Sequence, residues 1–231
     1  MRKIIALSTL IGITCSVFVG GCSPFAKPAP HDYEAYLSKM PSSILVLPAI
    51  NESMEAMAPY IHLSMVSYPL AEAGYYVFPV AVVDALMKEN GVASPEDMHG
   101  LSLKKIEEII APDAVLYLHI KEWSTEYKVI SSITTVHIAA SLVDTKTGTE
   151  LWIGEKMLSR SSSDSSDGPI EALISALVSQ VLNTVADKAS DVAKTTTAIL
   201  LRNARAGLLL GKYHPKFEED QKKRRGGEEP S

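Results

Sequence analysis

Two histidines, His119 and His137, fall in strand-like stretches and could begin a metal site if those strands pair. A zinc-type site needs further ligands at a matching spacing, and none stands near them. His62 lies in a helical stretch and His99 in a loop, with no cysteine or paired carboxylate close by, so both read as surface residues. Asp144 and Asp113 are the carboxylates most easily taken for general acids or bases. Asp144 falls in a turn, where aspartate caps its own backbone, and Asp113 follows a proline ahead of a strand, so both read as caps. Trp123 and Trp152 with Tyr117 and Tyr127 could form an aromatic binding patch, but such residues more often pack a sheet face or its rim. The chain has no Gly-x-Ser-x-Gly, no His-Glu-x-x-His and no phosphate-cradling glycine loop, since Gly148 and Gly154 stand alone. No catalytic residue, cofactor or metal is expected, and the sequence reads as that of a non-enzyme.

Cys22 has a different chemistry. Arg2 and Lys3 give a positive start, residues 4–19 are almost wholly apolar and uncharged, and Gly20, Gly21 and Cys22 follow. That pattern is an export signal. The apolar run is shorter than the roughly 20 residues a spanning helix needs. Val19-Gly20-Gly21-Cys22 resembles the bacterial lipobox, in which the signal is cut and the cysteine becomes a lipidated N-terminus. Ser23 in the next position favours sorting to the outer membrane. Two or more acyl chains, at about 0.8 kcal/mol per buried CH₂, would hold the mature chain firmly on a bilayer. The chain is thus expected to be a palmitate-bearing lipoprotein on the outer membrane, attached at Cys22, with its folded part in the periplasm.

Removing residues 1–21 takes Arg2 and Lys3 from 22 basic residues, leaving 20 against 27 acidic and a net charge of −7. Such a balance excludes nucleic acid as a partner. Of the two cysteines, Cys15 leaves with the signal and Cys22 is acylated, so no disulfide, redox dithiol or thiolate metal site remains. Stability must come from packing.

The elements read as follows. Residues 22–41 form the lipidated N-terminus and a proline-rich spacer, with a short helical turn at Tyr33, Tyr36 and Leu37 packing on the domain edge. Residues 42–48 are apolar on both faces, which suits a strand buried in an α/β sheet. Asn51 and Ser53 open a helix over about 54–73, with a kink or break near Pro69. Residues 75–80 give a second strand, and Val82, Val83, Leu86 and Met87 a helical stripe. Ser94-Pro95 and Ser102 start two short helices before a third buried strand over 114–121. In residues 133–144 the apolar set Val136, Ile138, Ala140 and Leu142 alternates with Thr135, His137, Ala139 and Ser141. Leu151, Ile153 and Met157 continue that pattern on a returning strand after the loop ending at Gly148, which is a hairpin signal. Residues 159–168 read as a flexible loop. Ile170, Leu173, Ile174, Leu177, Val178, Val181, Leu182 and Val185 then fall at helical spacing, predicting a long amphipathic helix over the sheet. The expected fold class is α/β: a mixed sheet with a parallel crossover part, then an antiparallel hairpin, covered by a long C-terminal amphipathic helix. The expected organisation is 1–21 signal peptide, 22–41 spacer, 42–215 one α/β domain, and 216–231 a disordered charged tail.

Several stretches together resemble a family of bacterial outer-membrane lipoproteins, typified by a meningococcal vaccine-candidate antigen and often encoded beside a curli-secretion-type, CsgG-like lipoprotein. They are residues 41–48 (Pro-Ser-Ser-Ile-Leu-Val-Leu-Pro) with Asn51 and Ser53, and residues 69–79 (Pro-Leu-Ala-Glu-Ala-Gly-Tyr-Tyr-Val-Phe-Pro). Residues 112–117 with Lys121-Glu122-Trp123, Asp144-x-x-Thr147-Gly148 with Leu151-Trp152, and Gly211-x-x-His214-Pro215 complete the match. The resemblance implies a fold similar to the TolB amino-terminal domain and no known catalytic activity. It also implies other envelope lipoproteins, CsgG-like ones among them, as partners.

Spare apolar helical surface marks association sites, so a homo-oligomer is a further expected partner state. The functional expectation is a protein-interaction domain in a cell-envelope secretion or assembly complex. An alternative is a lipoprotein activator of a periplasmic peptidoglycan synthase, with a spacer of residues 23–41 reaching about 65 Å at most.

Overall fold

The computed structural model describes residues 33–128, 132–161, 185–203 and 206–225. Three parallel strands, β1 (Ser43–Val46), β3 (Tyr76–Val77) and β4 (Ala114–Tyr127), are followed by β5 (Ser132–Asp144) and β6 (Glu150–Ser161), giving the order β3-β1-β4-β5-β6. β5 runs antiparallel to both neighbours. The two-residue β2 (Ile50–Asn51) lies beside β4 just past the end of β1, where Pro48 ends the first strand. The chain is therefore a mixed α/β sheet of parallel and antiparallel parts, as expected.

Helices cover the parallel part on both sides. α1 (Glu34–Lys39), α2 (Ala58–Glu72) and α6 (Val185–Arg202) close over one face, where Val46, Leu116, Leu118, Ile138 and Leu142 are buried. α3 (Val80–Glu89), α4 (Pro95–His99) and α5 (Leu103–Ile109) close over the other, burying Leu45, Leu47 and Val115 beneath Val83, Met87, Met98 and Ile106. That is why β1 is apolar on both faces. Ser94 and Ser102 accept the N–H groups of Asp97 and Lys105, so α4 and α5 start where the sequence places them.

Four expectations about the elements up to β6 need correction. α2 runs unbroken through Pro69, which sits in its last turn. The second strand is only Tyr76–Val77, because Pro79 caps α3 immediately after it. β4 does not stop at Lys121. That residue is a bulge opposite the Ile138/His137 step, after which Trp123 resumes the inward face and the strand runs on to an exposed Tyr127. In β6 the extra residue is Leu151, so Leu151 and Trp152 both turn inward. Ile153 and Met157 are thereby thrown to the outer face, each 55% exposed.

The helix expected over 170–185 lies outside the described residues, and among them α6 is the helix that packs across β5 and β6. The charged stretch from 216 was expected to be disordered, but Phe217–Arg225 forms a helix, α7. Glu218, Glu219 and Asp220 fill its first turn, which complements the helix dipole, and Gln221 is buried.

Candidate functional site

Cys22 precedes the described residues. The chain enters them at Tyr33, beside α1. Tyr33 donates to the Gly207 carbonyl, and Tyr36, fully buried in α1, shares a hydroxyl contact with Tyr75. Tyr75 in turn donates to the carbonyl of Leu209 at 2.5 Å. The residues just beyond the tether are thus fastened to the start of β3 and to the C-terminal segment. Among the described residues no helix is long and apolar enough to cross a membrane.

β1 begins next to α1 and ends at the opposite pole. There β1's connection leaves toward β3 on one side, while β4, reached by the later crossover, flanks β1 on the other. In open α/β sheets this switch in direction opens a crevice beyond the carboxyl ends of the strands. A cleft of about 200 Å³ lies there, between the start of α2 and the helices α3 and α4, lined by Pro48, Asn51, Pro59, Tyr60, Asp84, Pro95 and Glu96. Asn51 is occupied within its loop: its Oδ1 accepts from Ser53 N and Oγ, and its Nδ2 donates to the Glu55 carbonyl at 2.9 Å. Asp84 is held by Lys88 at 2.7 Å, and the Lys88 ammonium lies 5.4 Å from the centre of the Tyr60 ring. That pairing raises the Lys88 pKa.

The residues singled out for chemistry are mostly absorbed by the fold. His119 and His137 do lie on paired strands, but their registers differ: His119 faces Ala139, and His137 faces Glu122. His119 meets His99 instead, ring centres 5.5 Å apart and edge-on. His137 Nε2 lies 2.6 Å from Glu155 Oε1, and Lys121 reaches the same oxygen at 2.8 Å. Lys121 first, and His137 after it, hold the Glu155 carboxyl below its usual range. No group of three or more possible metal ligands occurs among the described residues.

His62 and His99 are not surface residues. His62 is fully buried between α2 and α6, with Nε2 3.0 Å from Thr197 Oγ1. Burial lowers its pKa to about 4. His99 ends α4, touches the Pro48 carbonyl at 2.9 Å and stands edge-on to Tyr117. Partial burial lowers its pKa, opposed by that carbonyl. Burial also pushes the Tyr117 hydroxyl up. The sequence left the His62 site unmarked, since its partner Thr197 lies 135 residues further along the chain.

Asp113 and Asp144 are caps, as expected. Asp113 Oδ2 accepts the N–H groups of Ser42 and Ser43 at 2.9 and 3.0 Å, tying the start of β1 to that of β4. Asp144 Oδ1 accepts from Thr147 N at 2.8 Å across the hairpin turn. The four aromatics do not assemble into a patch. Trp123 and Trp152 are buried, with Trp152 Nε1 donating to the Ala206 carbonyl at 2.7 Å, while Tyr127 is exposed.

Residues 31–213 match the family described as putative lipoprotein GNA1162-like. The chain is 37% identical over 215 residues to the putative lipoprotein NMB1124/NMB1162 of Neisseria meningitidis serogroup B, covering 93% of this chain and 98% of the relative. The crystal structure of lipoprotein GNA1162 from Neisseria meningitidis is 42% identical and superposes with a TM-score of 0.53, over 62% of this chain and all of that one. A PelC dodecamer from Paraburkholderia phytofirmans is 13% identical, with a TM-score of 0.43, over 70% of this chain and 87% of that chain. The family match spans most of the sequence and the relative is covered almost end to end, so the chain belongs to the GNA1162-like lipoprotein family.

Proposed function

We propose that this lipoprotein is non-enzymatic, held at Cys22 on the outer membrane, and that its α/β domain binds other envelope proteins in a secretion or assembly complex. The observation that carries this reading is the employment of its reactive side chains. Asp113 and Asp144 cap backbone, His62 sits neutral in a helix interface, and Trp152 plugs the core onto Ala206. What is left for function is surface. CsgG-like envelope lipoproteins are the partners the reading favours, with a homo-oligomer next. Intact-mass analysis tests the anchor: the reading expects a chain beginning at Cys22 with acyl chains, and a Cys22→Ala variant released from the membrane fraction. In-cell cross-linking of the lipidated protein tests the rest. Recovery of monomer alone would sink the interaction reading.

The alternative, activation of a peptidoglycan synthase across the periplasm, is weakened by the packing of α1. With Tyr33 and Tyr36 fastened to the body, only 11 residue steps (33 − 22) separate Cys22 from Tyr33. They reach about 40 Å at full extension, against the 65 Å that a free spacer up to residue 41 would give.

A further inference from the structure

We infer that the cleft beyond β1 is the docking surface for a partner protein, and that it takes a segment carrying a lysine or arginine between apolar side chains. The inference rests on the reading of the domain as an interaction module and names the place where it acts.

Three features converge there. The first is position. β1 runs from beside α1, where the described chain begins, to the cleft, so the cleft opens at the far pole of the parallel strands from that entry point. The second is exposed apolar surface. The loop before α2 carries Met54, 102% exposed, and Met57, 56% exposed, and Tyr60 follows half exposed on the cleft wall. Methionine adapts to irregular partners, and tyrosine gives a large rigid contact at low entropic cost. Pro48, Pro59 and Pro95 stiffen the same wall, which lowers the cost of ordering it on binding.

The third is charge. The Glu96 carboxylate lines the cleft and is in no ion pair among the described residues, and Glu52, Glu55 and Asp97 stand exposed on the adjoining loop and helix. Lys88 answers only Asp84. The mouth is therefore net negative. Lys88 also shows what the wall accepts: an ammonium held between a carboxylate and the Tyr60 ring. A partner's basic side chain would find the same pair of surfaces at Glu96 and the outer side of Tyr60, with its apolar neighbours on Met54 and Met57. The outer face around Ile153 and Met157 is the competing patch, but there Lys121 and His137 already answer the Glu155 carboxylate.

The test uses the full lipidated chain and two synthetic peptides, one alternating lysine with leucine and phenylalanine, the other with glutamate in place of each lysine. The lysine peptide is expected to bind, and the glutamate twin to bind at least about tenfold more weakly. Glu96→Lys and Met57→Asp, both at exposed positions, should each weaken the lysine peptide about tenfold, and Ile153→Asp should not. Equal binding of the twins, no binding, or indifference to both cleft variants overturns the inference. In cells, cross-links of the wild-type chain should be lost with Glu96→Lys. If they persist, the cleft is not the docking surface while the interaction reading stands. If wild type itself gives none, that reading fails and the peptides still decide the cleft. A cross-link only to a second copy of the chain also overturns it.

Discussion

His62 shows how one side chain can carry a measurable pH response without any catalytic role. Thr197 Oγ1 gives its own hydrogen to the Ala193 carbonyl at 2.7 Å, so it can only accept from His62 Nε2. The proton is thus fixed on Nε2, and Nδ1 is left buried without a partner. Protonating Nδ1 would place a charge in an apolar interface, which is why burial brings the pKa from 6.5 to about 4. The folded value is below the unfolded one, so the unfolded chain takes up the proton first as pH falls. Stability is whole above about pH 6.5 and is lost progressively down to about pH 4. At pH 5 the loss should be about 2 kcal/mol, read as a drop in denaturation midpoint that disappears in His62→Leu. Replacing Thr197 with Val should cost about 1–3 kcal/mol at neutral pH, since it strands the Nε2 hydrogen. A histidine surrounded by Leu63, Val66 and Pro69 looks polar in sequence and is treated as solvent-facing, because a single hydroxyl partner 135 residues away leaves no local trace.

Elements meet most tightly where the C-terminal segment crosses the turn before β3. Gly211 donates to the Ala73 carbonyl at 2.7 Å, and a Cβ at Gly211 would lie 2.4 Å from the Gly74 carbonyl oxygen. That obstacle is backbone and cannot rotate away. Gly211→Ala should therefore destabilise by about 1–3 kcal/mol and lower Tm by roughly 2–4 °C for each kcal/mol. A Gly211→Ala protein with unchanged Tm would mean that the segment is not fastened there. The legibility of the elements divides along physical lines. Buried runs and caps were readable: β1, the α4 and α5 starts, and the alternation of β5 all follow from period and N-cap chemistry. The two bulges were not, because one inserted residue, Lys121 or Leu151, reverses the inside-outside phase with no mark in composition. α6 was hidden for another reason. Ahead of Leu200 and Leu201 its buried side is built from Ala189, Val192, Ala193, Thr196 and Thr197, small or hydroxylated residues that leave no stripe of large apolar side chains. The threonines bury at little cost because each hydroxyl bonds the carbonyl four residues back. The cleft was the least visible, since Asn51, Tyr60, Asp84 and Glu96 lie on separate elements and are brought together only by the crossover.

At the scale of the whole molecule, α1 decides how far the body can travel from its anchor. The hydroxyl contacts of Tyr36 and of the helix's cap residue Tyr33 to Tyr75 and Gly207 make the tether 11 residue steps long, from Cys22 to Tyr33, instead of running to the first strand. Breaking that fastening lengthens the tether from within: Tyr36→Phe with Tyr33→Phe should raise hydrogen exchange in α1 before any other helix, with global stability falling by only about 1–3 kcal/mol. An inserted Gly/Ser segment of roughly twenty residues after Ser23 tests the reach itself without touching the fold. For a partner on the same membrane, the effective concentration falls roughly as the −3/2 power of tether length, so complex yield should drop about fivefold or stay saturated. For a partner on the far side of the periplasm, the same insertion relieves a tether of at most about 40 Å, and yield should rise. The two directions are opposite, and cross-linked complex per unit protein is the readout. A rise on lengthening would exchange the proposed function for its alternative, because only a body straining outward from its anchor gains by being let out.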